Sequence, residues 1–296
     1  MIEAALPVDI SVVIPTFQRP TLLPLTLSSV LRQEGVSIEV FVVDDCPDGS
    51  AEPVVTACGD ARVSYLRNPR PTGGNPAVVR NLAWPRTRGR YLHFLDDDDV
   101  VPTDHYAAVA ATFAAHPRVG LVFGRIEPFG TCPPAQLAHE RRFFAAAGTD
   151  GRRCGRLGER LGFVARTLFG PPLLVTSAGV VRREAVARVG GFDPRLGLGE
   201  DIDFFCRVMR TAGACFVDRV TLHYRIGSPS LMHDPDPPPE RLAAENDGRT
   251  QLWANYRQRY GAAEFLTLAA LSRIVLKRFW ASGMLSLRPL LTSVRG

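Results

Sequence analysis

Four consecutive carboxylates, Asp96 to Asp99, directly follow the apolar segment "YLHFL" at residues 91–95. Like charges this close make one another harder to ionise unless a cation compensates them. Asp96 and Asp98 are two residues apart, so an extended backbone directs both side chains to one face. A hard cation such as Mg²⁺ or Mn²⁺ takes oxygen ligands, commonly one or two carboxylates together with substrate phosphates. The run therefore predicts either a metal site or a solvated acidic loop ahead of a helix.

A second acidic pair, Glu200 and Asp201, begins a segment that is predicted to be a helix ending at Gly213. Taken alone, carboxylates in such a place predict complementation of the partial positive charge of the helix N-terminus. Asp203 lies four residues before Arg207, a spacing that predicts an ion pair along the helix.

Other uses of the acidic run depend on residues that this sequence lacks. An EF-hand calcium loop begun at Asp96 needs glycine at position 101 and glutamate at 107, where the chain has Val101 and Ala107. An aspartyl phosphatase would be expected to have a lysine nearby, and the one lysine is Lys277. A metal-dependent phosphohydrolase stays open as an alternative, because arginine could replace that lysine.

Strand-like and helix-like segments alternate from residue 10 to residue 123, which predicts an α/β fold with a mostly parallel central sheet flanked by helices. Ligands bind such sheets at the carboxyl ends of the strands. Three polar segments are expected at that edge: Pro15 to Arg19, Asp44 to Asp48 and Asp96 to Asp99. The predicted strands cover residues 10–15, 38–45, 62–66, 90–95 and 119–124.

The rest of the chain is less regular. Residues 124–170 have no clean period and predict a long surface excursion. A strand, a short helix and a turn follow, then the helix that ends at Gly213, and then two short strands, "CFVDRV" and "TLHYRI". The stiff segment "DPDPPPE" predicts a linker. The expected organisation is a main domain at 1–233, with a nucleotide-binding half at about 9–123 and an acceptor-side half at about 124–233. A linker at 234–239 and a basic helical extension at 240–296, with helices at 240–260 and 262–281, complete it.

The net charge of +5 is concentrated at the C-terminus. Residues 265–296 carry five cations and no acid, so the remainder is nearly neutral, which argues against a nucleic-acid binder. The same C-terminal segment predicts either a helix lying on an anionic membrane surface or a helix packed on the core.

The six cysteines contain no CxxC pair, which predicts free thiols in a reducing compartment. The start of the chain shows no secretory signal, and no apolar run approaches the roughly 18 to 20 residues that span a bilayer. These features predict a cytoplasmic protein, with peripheral contact at the inner face of the membrane as an option.

Four motifs occur in the order and spacing of family 2 glycosyltransferases: "VVIPTFQRP", "VVDDCPDGS", "FLDDDD" and "GGFDPRLGLGEDIDFFCRV". The chain resembles that family over about residues 9–226. The resemblance implies a GT-A fold, Rossmann-like, with a C-terminal helical appendage. It also implies an inverting transfer of a sugar from a nucleotide diphosphate sugar to a hydroxyl acceptor, with Mn²⁺ or Mg²⁺ as cofactor.

The resemblance also assigns roles to residues. Asp45, or failing that Asp44, would accept the imide hydrogen of the base, which favours UDP or dTDP, and Arg80 would face the phosphates. Asp201 by position would be the general base, with Glu200 beside it. The remaining donor-binding residues would be Pro15, Thr16, Phe17, Arg19 and Asp97, with Asp96 and Asp98 as metal ligands and Asp98 favoured for direct contact.

The acceptor is left open by the resemblance, although lipid-linked glycans serve several family members. The chain lacks the QxxRW motif and spanning helices of processive members, so a non-processive, hexosyltransferase-type enzyme is expected, in cell-surface glycan or glycosylated metabolite synthesis. His223 or His233 could approach the metal. A non-catalytic nucleotide-sugar-binding scaffold is the alternative from another class.

Overall fold

Seven strands form one central sheet in the computed structural model, which describes residues 8–196, 198–227 and 239–275. The strands are β1 (Ile10–Thr16), β2 (Ile38–Asp44), β3 (Val63–Arg67), β4 (Tyr91–Phe94), β5 (Leu121–Phe129), β6 (Gly179–Arg182) and β7 (Ala214–Arg225). The helices are α1 (Leu23–Leu31), α2 (Glu52–Cys58), α3 (Pro76–Ala83), α4 (His105–Ala115), α5 (Pro134–Arg156), α6 (Leu161–Phe169), α7 (Arg183–Val189), α8 (Glu200–Ala212), α9 (Pro239–Tyr260) and α10 (Ala262–Val275).

The strand order is β3-β2-β1-β4-β6-β5-β7, and β6 runs antiparallel to both of its neighbours. The other pairs are parallel. Helices cover both faces, so β1 is buried along nearly its whole length and its apolar residues are continuous rather than alternating. The predicted mostly parallel α/β sheet is confirmed.

The ends of β1, β2 and β4 lie side by side. Parallel register pairs Thr16 with Asp44, and β4 ends at Phe94 immediately before the acidic run. The three polar segments that the sequence placed at one edge of the sheet therefore do meet there.

The prediction of a surface excursion over residues 124–170 is wrong. Strand β5 continues to Phe129, and helices α5 and α6 occupy most of the rest. Helix α6 is buried from Gly162 to Phe169, so it has no polar face to create a helical period. Helix α5 is rich in Ala, Gly and Arg in place of an apolar stripe.

The two short strands predicted after Gly213 are one strand, β7. It pairs with β5 over its whole length, with register shifts on either side of Arg125. Such irregularities accommodate the charged residues Asp218 and Arg219, which lie close to the predicted break between the two strands.

The C-terminal helices pack on α6 and α8. Trp253 of α9 donates from Nε1 to the carbonyl of Leu168 at 2.9 Å, and Phe265 of α10 lies 5.2 Å from the ring of Phe169. Arg210 of α8 pairs with Glu264 at 2.7 Å. The two predicted C-terminal helices are present, and residues 276–281 of the second lie outside the described residues. None of the helices within the described ranges is long and apolar enough to span a membrane.

A buried ion pair joins α5 to α6. Arg166 Nε lies 2.8 Å from Asp150 Oδ2, and neither side chain is more than 2% exposed. We expect Arg166→Met to lower the free energy of unfolding by about 3 to 5 kcal/mol, because the Asp150 carboxylate stays buried without this guanidinium. Urea denaturation measures the loss.

Arg153 provides the matched control, since it lies 3.7 Å from the same carboxylate but is 55% exposed. Arg153→Met should cost less than about 1 kcal/mol. Equal losses for the two variants would contradict the prediction.

Candidate active site

A cavity of about 550 Å³ lies at the carboxyl edge of the sheet. Its wall is strongly acidic, because six carboxylates and three arginines line it. Fully ionised, these groups leave a net negative charge that would repel an anionic ligand unless a further cation is bound. The carboxylates are Asp45, Asp96, Asp97, Asp98, Glu200 and Asp201, and the arginines are Arg19, Arg80 and Arg249.

The turn after β1 supplies one wall of the cavity through Pro15, Thr16, Phe17 and Arg19. Gln18 has a positive φ of 57°, which is uncommon for a residue other than glycine, and its N–H donates to the sulfur of Cys46 at 2.9 Å. The strained turn allows the residues on either side of Gln18 to face the cavity.

Asp45 faces the cavity and also holds the loop at residues 68–74. Its carboxylate accepts from the Thr72 hydroxyl at 2.7 Å, from the Gly74 N–H at 2.7 Å and from the Asn68 amide at 2.6 Å. Burial raises the pKa of Asp45, but these hydrogen bonds outweigh it and hold the pKa below its ordinary value. Gly74 has a φ of 95°, and a Cβ there would lie 3.1 Å from the Phe17 ring, so glycine is required at this point.

Asp44 lies outside the cavity wall. It is fully buried and accepts from the N–H groups of Cys46 and Ala51, each at 2.9 Å, and from the Tyr65 hydroxyl at 3.0 Å. Its contacts shape the turn after β2.

The carboxylates of the acidic run diverge toward different elements. Asp97 accepts from the Thr16 hydroxyl at 2.7 Å, and Asp98 lies 2.8 Å from Arg19 Nη1. Arg19 is also 3.5 Å from Asp97. One cation on the neighbouring turn thus compensates two members of the run.

Asp99 lies outside the cavity wall. One of its oxygens accepts from the backbone N–H of Arg225 at 2.9 Å, while the other is buried with no hydrogen-bond partner. Asp99 therefore bonds to the end of β7 and does not face the cavity.

The run is short of positive charge. Burial raises the pKa of Asp97 to about 7. Burial and then the charge of Asp96 raise the pKa of Asp98, against the opposing effect of Arg19. Burial and the charge of Asp98 raise the pKa of Asp99 well above its ordinary value. A divalent cation would relieve this repulsion, so the chemistry of the donor set fits one.

The described residues hold no ready-made group of three or more His, Cys, Asp or Glu side chains around a metal position. Asp96 and Asp98 both line the cavity, which is the number of carboxylates that Mg²⁺ commonly takes when a phosphate ligand supplies the rest. The residues therefore fit a metal held jointly with a diphosphate.

Arg80 connects the acidic run to the second acidic pair. Its side chain is 3% exposed, with Nη2 2.7 Å from Asp96 and Nη1 3.0 Å from Glu200. Phe192 packs beneath the guanidinium at 5.2 Å, and the buried Nε has no partner. The arginine predicted to face phosphates thus lines the cavity while it fixes two carboxylates from distant parts of the chain.

Asp201 lies at the start of α8 and lines the cavity. Its Oδ1 accepts from the Ile202 N–H at 2.8 Å. Burial and the adjacent Glu200 charge raise the pKa of Asp201 to about 7, against the opposing charge of Arg80. A carboxylate of this pKa can take a proton near neutral pH.

The predicted ion pair of Asp203 with Arg207 is present and buried, with 2.6 Å between Oδ2 and Nη2. Arg207 also donates to the carbonyls of Val189 at 2.7 Å and Gly191 at 2.8 Å. These contacts anchor α8 to the preceding turn and so fix where Asp201 stands.

His223 does not line the cavity. Its ring is 37% exposed and lies 3.8 Å from Glu127. Its neighbour Tyr224 lines the cavity instead, as the alternation of side chains along a strand requires. His233 lies outside the described residues.

The far wall of the cavity falls partly in the half predicted for the acceptor side, but its individual residues were not identified from the sequence. Thr167 and Leu168 come from α6, and Arg249 and Leu252 come from α9. Alternation in "TLHYRI" could have identified Tyr224, but nothing local marks the other four, since tertiary packing brings them to the site.

Comparison with known proteins gives two family matches. Residues 11–170 match the model of "Glycosyl transferase family 2", and residues 91–293 match "Glycosyl transferase family group 2". The first covers more than half of the chain and contains three of the four motifs.

Three relatives show how far the sequence similarity extends. An uncharacterized glycosyltransferase of Haemophilus influenzae is 23% identical over 201 residues, covering 68% of this chain and 62% of that protein. The succinoglycan biosynthesis protein ExoO of Rhizobium meliloti is 35% identical over 96 residues, covering 32% and 27%. The Escherichia coli protein named UDP-Glc:alpha-D-GlcNAc-diphosphoundecaprenol beta-1,3-glucosyltransferase WfgD is 31% identical over 91 residues, covering 31% and 35%. The matches thus span less than two thirds of each relative.

Two solved structures share the fold. Residues 1–349 of S. aureus TarS in complex with UDP-GlcNAc superpose with a TM-score of 0.63 at 16% identity, covering 92% of this chain and 73% of that one. The mannosyltransferase PcManGT of Pyrobaculum calidifontis, in complex with GDP-Man and Mn²⁺, superposes with a TM-score of 0.56 at 19% identity, covering 97% and 79%. The sheet and its flanking helices are therefore those of GT-A glycosyltransferases.

Proposed function

The chain belongs to glycosyl transferase family 2, and from that membership and the cavity geometry we propose that it is an inverting, metal-dependent, non-processive glycosyltransferase. The donor is a nucleotide diphosphate sugar, and the acceptor is a hydroxyl group in glycan or glycosylated metabolite synthesis. The observation that carries the proposal is that one acidic cavity brings Asp96 and Asp98 together with Asp201, while Arg80 bridges Asp96 to Glu200.

Asp201 is the proposed general base. An acceptor hydroxyl is too weakly acidic to attack unaided, so Asp201 removes its proton while the oxygen bonds to the anomeric carbon. The bond from that carbon to the diphosphate breaks on the opposite face, which inverts the configuration. Glu200 stays bound to Arg80 at 3.0 Å and positions the helix start.

Asp96 and Asp98 are the proposed protein ligands of Mg²⁺ or Mn²⁺. When bound, the metal would neutralise the charge that develops on the departing diphosphate. Arg19 contacts Asp98 in the structure and lies at the cavity wall, from where it can also donate to a phosphate. The PcManGT complex with Mn²⁺ supports metal use in this fold.

A uridine or thymidine diphosphate sugar is the favoured donor. Asp45 faces the cavity, and its lowered pKa keeps it ionised. One of its oxygens can accept the imide N–H of such a base in addition to the hydrogen bonds from the loop at residues 68–74. Phe17 provides a face on which the base can stack. TarS is solved with UDP-GlcNAc and WfgD is named for UDP-Glc, which supports the choice, whereas PcManGT holds GDP-Man.

A donor screen tests the proposal. UDP, dTDP and GDP sugars are added with Mn²⁺ and with EDTA, and nucleotide binding is measured by calorimetry alongside release of nucleoside diphosphate. Metal-dependent binding of one nucleotide class, with turnover once a hydroxyl acceptor is present, is the expected result. Binding without turnover across varied acceptors would indicate a scaffold, and phosphate release without sugar transfer a phosphohydrolase.

The transfer rate should depend on pH through Asp201. A base must be deprotonated to act, so with a pKa of about 7 we expect kcat at saturating donor to rise with pH and level off above pH 8, falling about tenfold per unit at low pH. Asp97 has a similar pKa, so Asp97→Asn is the control and should keep the acidic limb. A kcat that stays constant between pH 5.5 and 8 would contradict the assignment of the base.

We also propose a cytoplasmic location and contact of the C-terminal basic segment with the membrane. Residues 276–296 of that segment lie outside the described residues, so its support comes from the sequence alone.

A further inference from the structure

Helix α5 carries an unusual division of charge. Its two carboxylates, Glu140 and Asp150, are both buried, and all five of its arginines are exposed. At 100° per residue, the five arginines fall within an arc of about 120°. They are Arg141, Arg142, Arg152, Arg153 and Arg156. The outer face of the helix is therefore a basic stripe.

The opposite face of α5 is fixed to the sheet. Gly151 lies so close to β7 that a Cβ there would be 2.5 Å from the ring of Phe216, and Phe144 lies 5.6 Å from the ring of Tyr224. The basic stripe cannot turn inward without breaking this packing. Its arginines stay at the surface even where they have partners: Arg152 is 42% exposed while bonded to Asp218.

Two exposed apolar side chains follow the C-terminal end of α5 in the sequence. Leu157 is 55% exposed and Leu161 is 50% exposed, and they are two of the four large apolar side chains that stand out as exposed in the described part of the chain. Glu159 and Arg160 lie between them in sequence and are also exposed, and Glu159 lies 3.7 Å from His116. Cations beside exposed leucines match a bilayer interface, where headgroups take the charge and acyl chains take the apolar groups.

We propose that the outer face of α5, together with Leu157 and Leu161, docks on an anionic phospholipid bilayer. A nucleic acid would satisfy the arginines but would leave the leucines in water. This surface is separate from the C-terminal segment, and its binding does not depend on the glycosyl transfer reaction. It would hold the enzyme at a membrane even with the active site empty.

Cosedimentation of the full chain with vesicles tests the proposal. We expect binding to vesicles of equal parts phosphatidylglycerol and phosphatidylcholine, loss of binding on pure phosphatidylcholine, and weakening by salt. Replacing Arg141, Arg142 and Arg156 together by Gln should lower the partition coefficient roughly 100-fold, at about fivefold per cation. The matched control replaces three exposed arginines elsewhere, Arg86, Arg90 and Arg188, and should bind like the wild type.

Two further variants separate the possible sources of binding. Leu157→Ser with Leu161→Ser should weaken the binding that persists at high salt. Replacing Arg278, Arg288 and Arg295 by Gln tests the C-terminal segment and should leave most of the α5-dependent binding. Donor affinity and thermal unfolding confirm that each variant is folded.

Three outcomes would overturn the proposal. The first is an α5 triple variant that binds vesicles as tightly as the wild type. The second is complete loss of binding in the C-terminal variant alone. The third is a wild-type protein that does not bind anionic vesicles but binds duplex DNA, with that DNA binding lost in the α5 triple variant.

Discussion

Asp201→Asn is expected to remove sugar transfer and leave donor binding intact. The substitution keeps the shape of the side chain and an oxygen that can accept from the Ile202 N–H, so the start of α8 should not move. It removes the proposed base, a role that contributes about 10² to 10⁴-fold to rate. The proposed donor contacts come from the ends of β1, β2 and β4, whereas Asp201 belongs to α8.

The measurement pairs kcat with the dissociation constant of the donor from calorimetry. Asp201→Glu is the matched control, since it retains a carboxylate and should keep more activity than the amide. Glu200→Gln separates the two neighbours: it weakens the contact to Arg80 and should reduce kcat less than Asp201→Asn does. Near-normal transfer by Asp201→Asn would show that another group is the base.

Contiguous motifs made the donor half of the site predictable. Apart from Arg80, which lies on α3, the candidates there lie at or within a few residues of a strand end, and parallel pairing of β1 with β2 and β4 brings Thr16, Asp45 and Asp96 together. Strand periodicity and the expectation of parallel strands were enough, because ligands of such a sheet meet the carboxyl ends of its strands.

The opposite wall required tertiary information. Leu168 sits in a helix that is buried on all sides, and Arg249 reaches the cavity because Trp253 anchors α9 to α6. The bond from Arg80 to Glu200 joins residues 120 positions apart. No local pattern encodes such a contact, so the sequence could suggest a role for Arg80 but not its partners.

The sequence predicted that the acidic run would need compensating charge, but it did not predict which cation each carboxylate would contact. Four adjacent carboxylates had to raise one another's pKa or find cations, and both occur: Asp98 has Arg19 and Asp96 has Arg80, while burial still raises the pKa of Asp97 to about 7. Which carboxylate received which cation depended on side-chain reach across the folded edge of the sheet.

Asp98→Asn is expected to abolish metal-dependent donor binding. Asp98 and Asp96 are the proposed protein ligands, so losing one should weaken Mn²⁺ affinity in the presence of nucleotide by more than roughly 100-fold, since even groups one step removed from a metal cost about 10 to 100-fold. Calorimetry with and without EDTA measures it. In EDTA the variant should bind the donor as the wild type does, because neither protein then holds a metal. If the variant kept its Mn²⁺ dependence, the metal ligands would be Asp96 and Asp97 and the assignment of Asp98 would be wrong.

The same variant should be more stable than the wild type when no metal is bound. The pKa of Asp98 is raised in the folded protein by burial and by Asp96, so the ionised carboxylate costs folding free energy at neutral pH and a neutral amide does not. The substitution does not leave Arg19 without a carboxylate partner, because Asp97 lies 3.5 Å from it. If metal-free Asp98→Asn has a higher Tm than the wild type and has lost its metal dependence, Asp98 serves metal binding at a cost in stability. If Asp98 were a structural carboxylate, the variant would have a lower Tm than the wild type.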